Sequence, residues 1–219
     1  MGPDGQPLET KTSMTYLGGL LHSDGRSTHE LSRRLGKASA EFEALRRVWS
    51  RSALSLRRKL DIFEACVMST LTYGLRTMWF NAASRRRLDG FQARCLRKIL
   101  GVPHSFYSRV PNSEVLRRGG QRSLSIKLLE QQLIFFGDCA CRNPGPIRNS
   151  IFNPGSLQLV DDTLPRRRGR PRNTWAGEAR KYSLLAAGGL NNLTRILLTE
   201  RSLQEWRAMV KTHCRRHLI

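Results

Sequence analysis

Apolar residues return at three- and four-residue steps over most of this chain, the period of helices with one buried face. Leu31, Leu35, Ala38, Phe42, Leu45 and Trp49 form one such stripe. Ser27-Thr28-His29-Glu30 precedes it and reads as a capping box, with Ser27 as N-cap and Glu30 three residues on. Ser50-Arg51-Ser52 breaks the pattern, and Ser55 starts a second helix with Leu56, Leu60, Phe63, Val67 and Leu71 in register. Ile62, Cys66 and Met68 make that helix apolar all round, which predicts a central place. A third helix begins near Ser84, turns Leu88, Phe91, Cys95 and Ile99 inward, and stops at Gly101 before Pro103. Leu35, Phe42, Leu60, Phe63, Phe91 and Ile99 are expected to share one core.

The two ends read differently. Thr12 to Leu17 is rich in β-formers and lies between the turn signals Gly2-Pro3-Asp4-Gly5 and Ser23-Asp24-Gly25, which predicts a short hairpin. Asn112 or Ser113 caps a short helix ending at Gly119-Gly120, and 123–136 is a further helix with Ile126, Leu129 and Leu133 in register. Prolines 144, 146, 154, 165 and 171 make 141–172 a linker or irregular extension. Thr174 then caps a helix with Trp175, Ala179, Tyr182 and Leu185 on its stripe. Gly188-Gly189 interrupts, and Ser202-Leu203-Gln204-Glu205 is a second capping box. The expected fold is mainly all-α: a basic helical bundle preceded by a short β-hairpin, with a separate small C-terminal helical segment. The expected divisions are 1–26, 27–140, 141–172 and 173–219.

Charge sharpens this picture. Lys and Arg total 38 against 17 Asp and Glu, a formal net charge of +21 over 219 residues. Such an excess says nothing about fold but points to a polyanionic partner, nucleic acid above all. Arginine dominates, and its planar fork suits phosphate. The cations concentrate on the polar faces of the helices: Arg33, Arg34, Lys37, Arg46 and Arg47 on the first, and Arg85, Arg86, Arg87, Arg94, Arg97 and Lys98 on the third. Acids are sparse between them, which favours a binding face over a mixed solvated one.

Several motifs bear on chemistry. Five cysteines without a Cys-x-x-Cys read as thiols of a reducing, intracellular compartment. No long apolar run predicts a membrane span, and no signal peptide is expected from the polar N-terminal residues. Cys139-x-Cys141 with His213-Cys214 lacks the spacing of a structural zinc site. His22, His29, His104 and His217 have no nucleophile or carboxylate at an informative spacing. Arg166-Arg167-Arg168-Gly169-Arg170-Pro171-Arg172 contains the Arg-Gly-Arg-Pro core of an AT-hook, a sequence suited to a narrow A·T minor groove. Non-specific phosphate contact is the broader reading of the same run.

Tyr16-Leu17-Gly18 followed by Ser23-Asp24-Gly25 resembles the segment just after the catalytic palm of non-LTR (LINE-type) retrotransposon reverse transcriptases. Further marks follow in that family's order: 56–60 (Leu-Arg-Arg-Lys-Leu), 71–74 (Leu-Thr-Tyr-Gly), 94–101 (Arg-Cys-Leu-Arg-Lys-Ile-Leu-Gly), 168–172 with Trp175, and 205–207 (Glu-Trp-Arg). The likeness spans nearly the whole chain. It implies that Tyr16 and Gly18 belong to a primer-grip hairpin near the primer end. Residues 27 to about 101 would be the thumb that holds template–primer, and the rest a C-terminal extension used in target-primed reverse transcription. It implies as partner RNA, DNA or an RNA–DNA hybrid, and as location the nucleus.

On this resemblance the chain is expected to start after the place of the fingers, palm and endonuclease and so to lack them. Polymerisation needs carboxylates that hold two divalent ions, so Mg²⁺ is expected only with that missing palm, and no cofactor in this chain. Asp161-Asp162 superficially mimics the palm's aromatic-x-Asp-Asp turn, but it lies after the thumb with no aromatic residue two positions earlier. The expected role is therefore a nucleic-acid-binding fragment without catalytic residues. The alternatives are a host protein that has reused the bundle to bind DNA or RNA, and a truncated piece of an active reverse transcriptase.

Overall fold

The computed structural model describes residues 11–142, 145–162 and 174–216. It is mainly α-helical, with one two-stranded hairpin near its start. Two compact units emerge. The first holds the described residues up to Gly74 together with Phe80–Val110, and the second holds Leu75–Trp79 and the described residues from Pro111 onward.

The first unit begins with strands β1 (Ser13–Tyr16) and β2 (Gly19–His22), antiparallel with Tyr16 opposite Gly19. Leu17 and Gly18 form the two-residue turn, both at positive φ (46° and 74°). That is the turn sense matching the twist of a hairpin, and it tolerates glycine better than leucine. Helix α1 (Ser27–Ala44) follows, with Arg26 at its N-cap and no side-chain cap. The capping-box expectation for Ser27 therefore fails. Glu30 turns away from its own helix start and accepts the Leu20 amide at 2.9 Å, so it ties hairpin to helix. The stripe through Trp49 is also not one helix. The backbone turns at Leu45, and α2 (Arg46–Ser50) carries Trp49 back over α1. There its indole stacks on Phe42 at 5.0 Å and donates to the Phe42 carbonyl at 2.8 Å.

Helix α3 (Leu56–Ile62) starts at Ser55, whose hydroxyl accepts from the Arg58 amide. It passes through a π-helical stretch, Phe63–Met68, into α4 (Ser69–Thr72) as one rod. Lys59 near the start of this rod donates to the Trp49 carbonyl at 2.8 Å. Tyr73, at its far end, lies under the Arg34 guanidinium from the first turns of α1. The rod therefore runs antiparallel to α1. Helix α5 (Ala82–Leu100) begins at Asn81, whose side chain accepts from the Ser84 amide at 2.8 Å, and ends at Gly101 with φ 67°. The short helix α6 (Ser105–Ser108) completes the unit. Leu31, Phe42, Phe63, Val67, Leu71, Leu88, Phe91, Cys95 and Ile99 are buried. Leu35 and Leu60 are only half-buried and Leu56 is exposed, so the core is narrower than the stripes suggested.

In the second unit, α7 (Asn112–Arg118) starts from Pro111 rather than from an Asn112 or Ser113 cap. Helix α8 (Leu124–Cys141) runs five residues beyond the expected end at Phe136. It is apolar on several sides, and the later helices gather on it, which is why the units part after Val110 and not near 140. Of the stretch read as a linker, residues 145–162 are folded. Helix α9 (Pro146–Asn149) leads to a bridge between Phe152 and Leu159, and Phe152, Leu157 and Leu159 are buried. Arg148, also buried, donates to the carbonyls of Ala140 and Ser156 and so holds this segment to the end of α8.

Helix α10 (Trp175–Ala187) is capped by Thr174 and ends at Gly188 (φ 74°), as its sequence indicates. Helix α11 (Leu190–Thr194) continues as a π-helical turn, Arg195–Thr199, before α12 (Leu203–Arg216). Ser202 accepts from the Glu205 amide at 3.3 Å, half of a capping box, while the Glu205 carboxylate pairs with Arg195 instead. Trp206 is fully buried and donates to the Leu133 carbonyl at 2.9 Å. Its ring lies over Gly137, where any side chain would collide with it.

Candidate nucleic-acid interface

Within the first unit, α1 and α5 lie side by side and parallel. Arg87 donates to the Ser32 hydroxyl at 3.1 Å near both helix starts, and Lys98 pairs with Glu43 at 3.0 Å near both ends. The offset between partners is 55 residues in each case. From Arg87 to Lys98, α5 rises about 16 Å. Arg87, Arg94 and Lys98 are exposed along this length, seven and four residues apart on one helical face, with exposed Arg86 adjacent to Arg87 and exposed Lys37 on α1. Arg94 also lies 5.6 Å from the Phe91 ring centre, an i,i+3 neighbour on the same helix. Gly36 and Gly90 are exposed, and a side chain at either would meet nothing nearby.

The other predicted cations divide by burial. Arg34 is 6% exposed; it pairs with Glu30 at 2.7 Å and donates to the Gly18 carbonyl. Arg33 is partly buried and bonds the same two partners. Arg97 is 7% exposed and donates to the carbonyls of Pro103 and Val110, the latter at 2.6 Å. Arg85 donates to the Phe80 carbonyl at 3.1 Å. Arg34 and Arg97 are therefore internal fasteners, not surface cations. A sequence cannot separate the two uses, because arginine's long stem reaches an inner carbonyl or an outer phosphate from the same helical face.

Burial by itself would raise the Glu30 carboxyl. Hydrogen bonds from Arg33, Arg34 and the Leu20 amide outweigh it and hold Glu30 below its usual 4.5. The knot they form grips the hairpin turn, because Gly18 O receives both guanidiniums and Tyr73 OH donates to Leu17 O at 3.2 Å. Tyr16 and Leu17 remain exposed at the tip.

His22 and His29 have a neighbour the sequence did not disclose. Each imidazole lies 2.9 Å from an oxygen of Asp24, and the two rings stack at 3.8 Å. The Arg26 amide and both imidazoles hold the Asp24 carboxyl well below the usual carboxylate range. The three residues offer donor types that a divalent transition metal accepts, although hydrogen bonding alone accounts for the arrangement. The turn Asp24-Gly25 brings strand end and helix start together, a closeness that the spacing of the three residues does not reveal.

Arg166, Arg167, Arg168, Arg170 and Arg172, and with them the AT-hook reading, lie outside the described residues. Asp161 is exposed in a 3-10 turn, Val160–Asp162. Cys95 is buried, which pushes its thiol up to about 12, and burial raises Cys139 and Cys214 likewise, the latter to about 11. Such thiols behave as small hydrophobes. No described helix is long and apolar enough to cross a membrane. Comparison with protein-family models, curated proteins and solved structures finds no match to this chain.

Proposed function

We propose that this chain is a nucleic-acid-binding piece of a non-LTR-type reverse transcriptase, its thumb and C-terminal extension, gripping template–primer through basic helices. The observation that supports it is the exposed row Arg86, Arg87, Arg94 and Lys98 on α5, laid parallel to α1 with Lys37. Duplex presents one phosphate per strand about every 3.4 Å, so a row of about 16 Å spans some five backbone steps. The Lys98–Glu43 pair is exposed on both sides (48% and 63%). A pair of that kind is worth about 0–1 kcal/mol, which a phosphate can displace. Open backbone at Gly36 and Gly90 leaves room for close approach. The order of motifs from Tyr16-Leu17-Gly18 to Glu205-Trp206-Arg207 supports the family, and the nucleus is the location that goes with it.

Binding, and not polymerisation, is the activity assigned to this chain. Primer extension with Mg²⁺ or Mn²⁺ should stay at background. Extension that survives Asp161→Ala would reveal an active site elsewhere. The direct test is anisotropy of labelled duplex and hybrid against salt. Log affinity should fall steeply with log salt, and replacing Arg86, Arg87, Arg94 and Lys98 by Ala should flatten the slope by up to about 0.9 per lost contact. A parent protein whose affinity ignores salt would sink the reading.

A further inference from the structure

Phe106 and Tyr107 are 69% and 79% exposed, on a loop that the protein takes trouble to hold still. Buried Arg97 bonds both ends of that loop, through Pro103 O at 3.2 Å and Val110 O at 2.6 Å. Ser108 donates to Pro103 O at 3.1 Å, and the His104 ring accepts the Phe106 amide at 3.3 Å. Arg109 follows at φ 55°, a backbone setting costly for a side-chain-bearing residue, with its guanidinium 5.9 Å from the Phe106 ring centre. The two rings stand at 87° with centres 5.3 Å apart, so their faces open in different directions.

A turn fixed by an inner guanidinium and displaying two largely exposed aromatic rings is arranged for an outside partner. The chemistry beside the rings selects which. No carboxylate lies between Gly101 and Asn112 in the sequence. His104, Ser105, Ser108 and Arg109 flank the pair along the chain, and Arg109 reaches the Phe106 ring. Exposed aromatics and arginine also mark protein interfaces, but the exposed cations Arg87, Arg94 and Lys98 of the same unit and the chain's net charge of +21 favour a polyanionic partner. Flat rings edged by cations and hydroxyls suit nucleobases, whose π-faces stack while the backbone meets positive charge. A base inside a duplex has both faces covered, so only unpaired bases fit.

We propose that Phe106 and Tyr107, with Arg109 beside them, form a stacking platform for unpaired nucleobases, distinct from the cationic row on α1 and α5. It rests on the nucleic-acid reading above and adds a single-strand specificity to it. In function it would hold template or target strand outside the paired region.

The test uses the full chain with short labelled single-stranded DNA, single-stranded RNA and blunt duplex, at low salt. The double variant Phe106→Ala/Tyr107→Ala should lose roughly 5- to 150-fold in single-strand affinity per stacked base. It should keep its duplex affinity and its salt slope. Loss on DNA and RNA alike identifies the base as the recognised group, whereas loss on RNA alone would assign the platform to single-stranded RNA. Phe106→Trp/Tyr107→Trp should restore binding, since indole stacks at least as well. Unchanged single-strand affinity in the alanine variant overturns the platform and leaves the cationic row intact. Equal loss on duplex also overturns it, as would tryptophan variants that fail to recover. A parent chain that binds neither form defeats the nucleic-acid reading itself.

Discussion

Each compact unit turns an indole and a guanidinium inward, Trp49 and Arg97 in the first and Trp206 and Arg148 in the second, but among the described residues the buried ion pair, Glu30–Arg34, belongs to the first. In the first, guanidiniums reach inward: Arg34 closes the hairpin turn onto α1 through Glu30 and Gly18, and Arg97 closes the loop after α5. In the second, the buried Trp206 indole bonds the Leu133 carbonyl across a bare Gly137, while the partly exposed Trp175 bonds the Arg76 carbonyl at 2.9 Å. Both units thus depend on matched volumes, and the first depends besides on the Glu30–Arg34 charges staying paired. An internal ion pair is sensitive to pH and to removal of one partner. A packed indole ignores pH but tolerates neither deletion nor crowding.

The largest expected effects come from emptying either core. Trp206→Ala in the second unit and Phe63→Ala in the first should each cost about 3–5 kcal/mol, because both side chains are fully buried. Hydrogen exchange read peptide by peptide should place each loss in its own unit. A loss under about 0.5 kcal/mol at Phe63 would mark it as a surface residue.

Next comes the charge knot. Glu30→Ala should cost about 3 kcal/mol, since it strands buried Arg34 without its carboxylate. Glu30→Gln, which keeps an acceptor, should cost less. Acid should act on the same bond. Glu30's folded carboxyl lies below its unfolded value of 4.5. Its stabilisation is therefore complete above that value and is lost as pH falls through the lower folded one. Exchange protection of the hairpin and α1 should fall in that acid range, and Glu30→Gln should remove its contribution to the fall. Equal acid sensitivity in parent and variant would show that the charge knot does not distinguish the units.

Gly137→Ala tests the other side of the comparison. Alanine is normally the better helix former by about 1 kcal/mol. Here the added methyl meets the Trp206 ring, and overpacking of this kind costs about 1–3 kcal/mol. A stabilised variant would mean that the indole has room to move. The smallest stability effect belongs to the cationic row: Arg86→Ala and Arg94→Ala should stay within about 0.5 kcal/mol while still weakening nucleic-acid binding. Larger losses in thermal or denaturant melts would class them with Arg34 and Arg97.

Much of this architecture is determined by local sequence. The stops at Gly101 and Gly188 and the caps at Ser55 and Thr174 appear where turn and cap chemistry put them, because each needs only its immediate neighbours. The presence of a hairpin before the first helix and most of the helical stripes belong to the same class, although the hairpin's turn falls at Leu17-Gly18, at the end of the stretch read as β-forming. What tertiary structure decided is every choice among distant partners. Glu30 looked like a cap and became a bridge to Leu20 and two arginines. The proline-rich stretch looked like a linker, yet Phe152, Leu157 and Leu159 found an apolar site in the second unit. His22 and His29 met over Asp24 only because a turn folded the strand end onto the helix start. The arginines divided into fasteners and surface cations according to which carbonyls lay within reach. Helix period and capping act over a few residues and are written in the local order of side chains, whereas burial and pairing depend on which segments the fold brings together.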